Sequence, residues 1–268
     1  DSLNVAIGHG VAASVTTGIF NTIIGALAGD ALTDADFNVA VGKSALTTET
    51  LGSRSVAIGT SALSNQNNTT ATDVYNTAVG FEAGGSVTTA VRNTLVGGLS
   101  GDALTTGTRN TTLGYATLSS DTLGSRSVAV GYEALVAQNF TTATNAYNVG
   151  VGYQAGVSIT TGQHNTLVGG LAGDSLTDAD FNVAIGFNSL VSDTLGSRSI
   201  AMGPGALSAQ NFTTATNAYN VAIGYEAGDQ ITTGTENTFI GALCGDGTDD
   251  GRENTAVGSH ALSANCGN

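Results

Sequence analysis

A five-residue phrase recurs fifteen times along this chain: Asn or Ser, a β-branched residue, a variable residue, an aliphatic residue, then Gly. The copies begin at Asn4, Asn21, Asn38, Ser55, Asn76, Asn93, Asn110, Ser127, Asn148, Asn165, Asn182, Ser199, Asn220, Asn237 and Asn254. Their spacing runs 17, 17, 17 and 21, and this quartet is itself a superrepeat, returning at Asn4, Asn76, Asn148 and Asn220. The hexapeptide TLGSRS, beginning at Thr50, Thr122 and Thr194, precedes each longer unit. A catalytic motif has no need of even spacing. A stack of equivalent structural units does.

With the Asn or Ser numbered zero, position one is Val, Thr or Ile in every unit and position three is always aliphatic. Position four is Gly in all fifteen units, and position seven is small in fourteen, Val11 being the exception. Positions one and three share one face of an extended strand, and their side chains are those that strands favour. The glycine predicts a bend or a close approach of neighbouring backbone. The TTG at residues 16–18 and 160–162 reads as a turn.

A 17-residue unit cannot bury an apolar face by itself. Stacking unit on unit solves this, with backbone groups pairing between coils at about 4.8 Å. The expected fold is all-β: a β-solenoid, or β-roll, of about fifteen coils in the 17, 17, 17, 21 pattern, continuous as one domain over residues 1–268. In this reading positions one and three line the interior, so that Ile7, Ile24 and Val41 form an inner column. Position two, which mixes Ala57, Leu95, Thr112, Leu167 and Phe239, then faces outward, and its partly apolar character points to another chain. Helical repeats lack support, since neither a 3.6-residue period nor helix formers appear. A propeller blade is more than twice as long.

Composition narrows the function. Only 7 residues are basic against 21 acidic, a net charge of −14, which argues against nucleic acid and anionic membrane as partners. No run of eighteen apolar residues is present, so no membrane insertion is expected. The chain opens inside the pattern, as DSLNVAIG, as expected of a processed or excerpted chain without a signal peptide. Cys244 and Cys266 are the only cysteines and form a candidate disulfide, which would suit an extracellular compartment.

The units NTAVGFEAG, SVAVGYEAL, NVGVGYQAG and NVAIGYEAG resemble the head repeats of YadA-like trimeric autotransporter adhesins. They resemble still more closely the 17-residue NTAVGYxAL…TTG repeats of bacterial surface proteins and phage tail fibres. The resemblance covers essentially the whole chain, although adhesin heads commonly use shorter coils. It implies a β-roll, often trimeric, in a fibrous protein at a cell or virion surface.

The residues that stand out chemically fall at fixed phases of the repeat. The long coils carry N-x-Thr sequences at Asn67, Asn68, Asn139 and Asn211, which mark candidate glycosylation or binding loops. A further match at Asn110 occupies position zero and belongs to the ladder. Position zero itself, Asn in twelve units and Ser in three, reads as a column of side-chain hydrogen bonds. Asp30, Asp34 and Asp36, and again Asp174, Asp178 and Asp180, read as solvated acidic turns, their spacing matching neither an EF-hand nor the Ca²⁺ nonapeptide. Tyr75, Tyr147 and Tyr219 precede position zero at the superrepeat stride, with Phe20, Phe37 and Phe181 at the same phase elsewhere and Arg54, Arg126 and Arg198 recurring likewise. His9, His164 and His260 fall at unrelated phases and complete no triad or metal set. No enzyme activity and no cofactor are expected. The expected role is a structural subunit of an extracellular fibre, self-associating head to tail or as a homotrimer. The alternative is a receptor- or glycan-binding shaft of a phage tail fibre or surface adhesin.

Overall fold

The computed structural model describes residues 3–247 and 249–263. The fold is an all-β parallel solenoid with a 15-stranded sheet, one three-residue strand for each turn of the chain. It comprises two compact units, Asp1–Ser127 with Asn139–Asn145, and Val128–Gln138 with Ala146–Asn268. In the first unit the ladder begins Val5–Ile7, Thr22–Ile24, Val39–Val41, and each strand pairs with the next in parallel. In the second it runs from Val128–Val130 and Val149–Val151 to Thr255–Val257 with the same pairing. Register follows the repeat: Ile7 pairs with Ile24, Ile24 with Val41, and Val41 with Ile58. Among the described residues no helix is long and apolar enough to cross a bilayer.

The glycine at position four is required by the stacking. At Gly97 φ is +134°, and a Cβ there would lie 2.1 Å from the carbonyl oxygen of Gly114 in the next coil. The same approach repeats at Gly25 and Gly224, where a Cβ would lie 2.5 Å from the oxygen of the following glycine. The chain turns at three further corners per coil, at positions minus one, six and eight. These corners are left-handed even where the residue is not glycine, as at Arg54 (φ +65°), Ser61 (+58°) and Leu63 (+49°).

One expectation is overturned. The column Ile7, Ile24, Val41 exists, but it lies on the outside: Ile7 is 59% exposed and Ile24 and Val41 are half-buried. Position two points inward instead. Ile23, Ala40, Ala57, Ala78, Leu95, Leu167, Ala201 and Phe239 are all at 0% exposure. The cause is the period of two. Position zero must face inward, because its Asn bonds to interior backbone, and position two lies on the same side of the strand. Asn21 Nδ2 donates to the Ala35 carbonyl of its own coil at 2.7 Å, while Asn21 Oδ1 accepts from the Asn38 amide of the next at 2.9 Å. The same pair of bonds recurs along the position-zero column at the Asn residues from Asn4 to Asn237, Asn110 included.

The interior is narrow, so volume is exchanged between rows. Where position two is large, position eight is Gly: Ile23 with Gly29, Leu95 with Gly101, Leu167 with Gly173, Phe239 with Gly245. A Cβ on Gly245 would meet the Phe239 ring at 2.6 Å. Where position two is Ala, position eight can hold Leu, as in Ala40 with Leu46 and Ala201 with Leu207. Close packing of this kind leaves little space for exchange at one row alone.

Candidate functional site

The long coils are built around a buried carboxylate. Glu49 is fully buried, and its Oε1 accepts from the backbone amides of Thr50, Leu51, Gly52 and Asn68 at 2.8–3.2 Å. Its Oε2 accepts from Gln66 Nε2 and Asn68 Nδ2, both at 2.8 Å. Asp121 and Asp193 hold the same place ahead of the other long coils. Asp193 accepts from the Gly196 and Phe212 amides at 3.0 Å and from Gln210 Nε2. Ser at position zero makes room for this Gln: Gln66 and Gln210 each donate to the hydroxyl of Ser55 or Ser199 at 3.1 Å. The Gln oxygen then receives the next Asn, as in Asn76 to Gln66 at 2.9 Å and Asn220 to Gln210 at 2.8 Å. Sequence reasoning misses these three acids, although each stands at the same phase ahead of a position-zero Ser.

The anchored segment closes on a second short ladder. Gly52–Ser53 pairs with Thr72–Asp73, Gly124–Ser125 with Thr144–Asn145, and Gly196–Ser197 with Thr216–Asn217. Thr69, Thr70 and Ala71 protrude into solvent, as do Thr141 to Ala143 and Thr213 to Ala215. Among the candidate modification residues, Asn68 is 5% exposed and its amide is committed to Glu49, so it is part of the anchor. Asn67, Asn139 and Asn211 share another place, where Oδ1 accepts from the hydroxyl of Thr50, Thr122 or Thr194 at 3.1–3.2 Å.

The remaining sequence candidates are dispersed. Asp30 accepts from the Thr47 hydroxyl, Asp34 from the Thr17 hydroxyl, and Asp36 from the Ile19 amide at 2.8 Å, so each carboxylate is bonded to its own neighbour in an adjoining coil. Asp178 and Asp180 repeat the pattern with Thr161 and Gln163. Burial pushes the carboxyl pKa of Asp102, Asp174 and Asp229 above the ordinary value, and Glu82 adds to the effect at Asp102. Cys244 fills position seven, fully buried, its Sγ 3.2 Å from the Ala256 carbonyl, and burial pushes its thiol pKa up. Cys266, its candidate disulfide partner, lies outside the described residues.

The residues that do converge lie on the outer face of the strand ladder. Among the described residues, every exposed large hydrophobic side chain except Leu27 falls at position minus one, one, three or five. Positions one and three supply Val5, Ile7, Ile58, Leu113, Met202, Ile223, Ile240 and Val257. Position five adds Phe81, Tyr115, Tyr132, Tyr153, Phe187 and Tyr225, each 45–58% exposed. Tyr132 and Tyr153 stack at 5.6 Å, and the Phe187 ring extends over Gly170, where a Cβ would stand 3.5 Å from it.

Position minus one forms a second stacked row. Phe20 and Phe37 lie 5.1 Å apart and nearly parallel, and the Arg54 guanidinium sits 4.8 Å over Phe37 while bonding Asp73 at 2.8 Å. In the second unit Tyr147, His164 and Phe181 stack at 5.3 and 4.7 Å, and Arg198 lies 4.7 Å over Phe181. Ring faces are therefore covered by one another and present their edges outward. Five of the seven basic residues, Arg54, Arg92, Arg109, Arg126 and Arg198, occupy this row. No protein-family model, curated protein or solved structure matches the chain.

Proposed function

We propose that this chain is a structural subunit of an extracellular fibre and that it associates with copies of itself through the outer face of its strand ladder. The observation that carries the reading is the confinement of the exposed large hydrophobic side chains, Leu27 apart, to four rows at each strand among the described residues. A contiguous apolar surface of this kind marks an interaction face. A partner must match a repeat of about 4.8 Å along the ladder, and a second copy does so by construction. Position one is β-branched throughout, Val, Ile or Thr, and position three is apolar throughout, so the face is suited to packing against an equivalent surface. The extracellular setting follows from the resemblance of the repeats to surface and tail-fibre proteins.

A second reading, a glycan- or receptor-binding shaft, draws on the protruding Thr-Thr-Ala tips of the long coils, which a rigid scaffold holds in fixed positions. The stacked rows fit this reading poorly, since a sugar needs an open ring face.

Sedimentation across a concentration series tests the leading reading, with electron microscopy of the heaviest species. Oligomers or filaments well above the 26.5 kDa chain are expected. A single chain at all concentrations up to about 100 μM, a range that detects even weak association, overturns it. Glycan-array binding that is lost on trimming residues 69–71, 141–143 and 213–215 would support the second reading instead.

A further inference from the structure

The minus-one row is constant in one of its four phases, nearly constant in a second, where Leu3 precedes three tyrosines, and variable in the other two. Arg54, Arg126 and Arg198 recur at the superrepeat stride, as do Tyr75, Tyr147 and Tyr219. The other two phases hold Phe20 and Phe37, then Arg92 and Arg109, then His164 and Phe181, then Glu236 and Glu253. All eight side chains are exposed, and all eight residues sit in the same left-handed corner, with φ between +58° and +62°. One backbone site thus carries an aromatic pair, a cationic pair, a His-aromatic pair and an anionic pair in turn.

We propose that this row sets the register between copies of the chain, the first unit of one copy docking on the second unit of another with an offset of two superrepeats, or eight coils. This rests on the self-association reading above. Because the offset is a whole number of superrepeats, equivalent coils meet, with the minus-one rows of the two copies at the centre of the contact. It places Arg92 against Glu236 and Arg109 against Glu253, and the Phe20 and Phe37 pair against His164 and Phe181. Glu236 and Glu253 are the only acids in the row, and they fall at the two phases that meet the arginines at this offset.

Other registers are worse. With no offset, Arg92 and Arg109 face themselves, and so do Glu236 and Glu253. An offset of one superrepeat sets the arginines against His164 and Phe181 and leaves the two glutamates against the same pair. A fully overlapped antiparallel arrangement puts the glutamates against Phe20 and Leu3, and the antiparallel register that brings Arg109 to Glu236 and Arg92 to Glu253 sets long coils against short ones. Arg54 meets an equivalent arginine at any whole number of superrepeats, so it does not discriminate, and Asp73 neutralises it within its own chain. Arg92 and Arg109 occupy consecutive coils about 4.8 Å apart, a mutually repulsive pair in a chain of net charge −14. A facing acidic row relieves it. Exposed ion pairs contribute little affinity but strongly select register, since juxtaposed like charges are penalised. Because each copy uses its two units toward different neighbours, the contact is heterologous and propagates from copy to copy.

Charge exchange tests the pairing. Arg92→Glu with Arg109→Glu, and separately Glu236→Arg with Glu253→Arg, should each weaken self-association by roughly tenfold or more in sedimentation at low salt. The corner already holds both Arg and Glu in the parent chain, so these variants keep the fold, which circular dichroism checks. An equimolar mixture of the two variants should regain parental association, and so should the single chain carrying all four substitutions. If the parent assembles but the reversals leave assembly unchanged, or the fourfold exchange stays as weak as either pair, the register is wrong while the fibre reading stands. A parent that never assembles overturns both.

Discussion

Replacing Glu49 by Gln separates charge from shape at the base of a long coil. The amide is nearly isosteric, but one of its two acceptor oxygens becomes a donor. If the NH₂ takes the Oε1 place it confronts four backbone amides. If it takes the Oε2 place it confronts Gln66 Nε2 and Asn68 Nδ2, each now 2.8 Å from an acceptor. The second is the milder outcome and forfeits two charge-assisted bonds, about 1.5–3 kcal/mol each, or about 3–6 kcal/mol together. Gln66 cannot turn over freely, because its oxygen receives Asn76 at 2.9 Å. A stacked array opens locally, so the relevant assay is amide hydrogen exchange at Gly52 and Asn68 rather than a whole-chain melt. At about 1.4 kcal/mol per factor of ten, exchange there should quicken a hundredfold or more. Glu49→Asp should do much less, since Asp121 and Asp193 fill the same place elsewhere. Exchange in Glu49→Gln within about threefold of the parent, a difference of well under about 1 kcal/mol, would refute the carboxylate as the anchor of the loop.

Three further outcomes are expected. Gly97→Ala forces a Cβ to 2.1 Å from the Gly114 oxygen at φ +134°, and should cost about 3 kcal/mol or more, read as a local loss of exchange protection in the two coils. Asp102→Asn should raise the melting temperature at pH 7, because burial, with Glu82 nearby, raises the folded carboxyl pKa above its unfolded value and makes its ionised form unfavourable. The sign follows from linkage: the native acid is most favourable below its unfolded pKa and loses that stability as pH rises through the folded value, so the advantage of Asn should vanish on acidification into the ordinary carboxylate range. Val151→Lys, on the half-buried outer face, should leave circular dichroism unchanged, shift stability by about 0.5 kcal/mol or less in the isolated chain, and lower the mass of the assembled species in sedimentation.

The coil and its stride are legible in the sequence because stacking forces equivalent residues into equivalent environments, and the repeat records that directly. The facing of the strand is not. Val, Ile and Leu at positions one and three satisfy either a core or a contact surface, so their character alone is ambiguous. Two signals in the same residues decide it. Asn at position zero needs interior carbonyls and carries position two inward with it, and the exchange of volume between Ile23 and Gly29, or Ala40 and Leu46, occurs only between side chains that touch. A partly apolar outer surface is anticipated by the sequence, but on position two rather than on one and three. Glu49, Asp121 and Asp193 read as ordinary surface acids beside TLGSRS until the structure places them at 0% exposure among amide donors. The row at minus one is half visible: its tyrosines and phenylalanines stand out, while Arg92, Arg109, Glu236 and Glu253 do not recur from one superrepeat to the next and so escape a search for recurrence.

The left-handed corners have a consequence for how the chain acquires its shape. Arg54, Ser61 and Leu63 each adopt a backbone that an L-residue disfavours by about 1–2 kcal/mol, so a lone 17-residue peptide has no local reason to bend this way. Only the amides and carbonyls of an already formed turn can hold the next one in place. Growth is therefore templated: a slow seed of a few turns, then rapid addition of one turn at a time, each new layer copied from the layer beneath it.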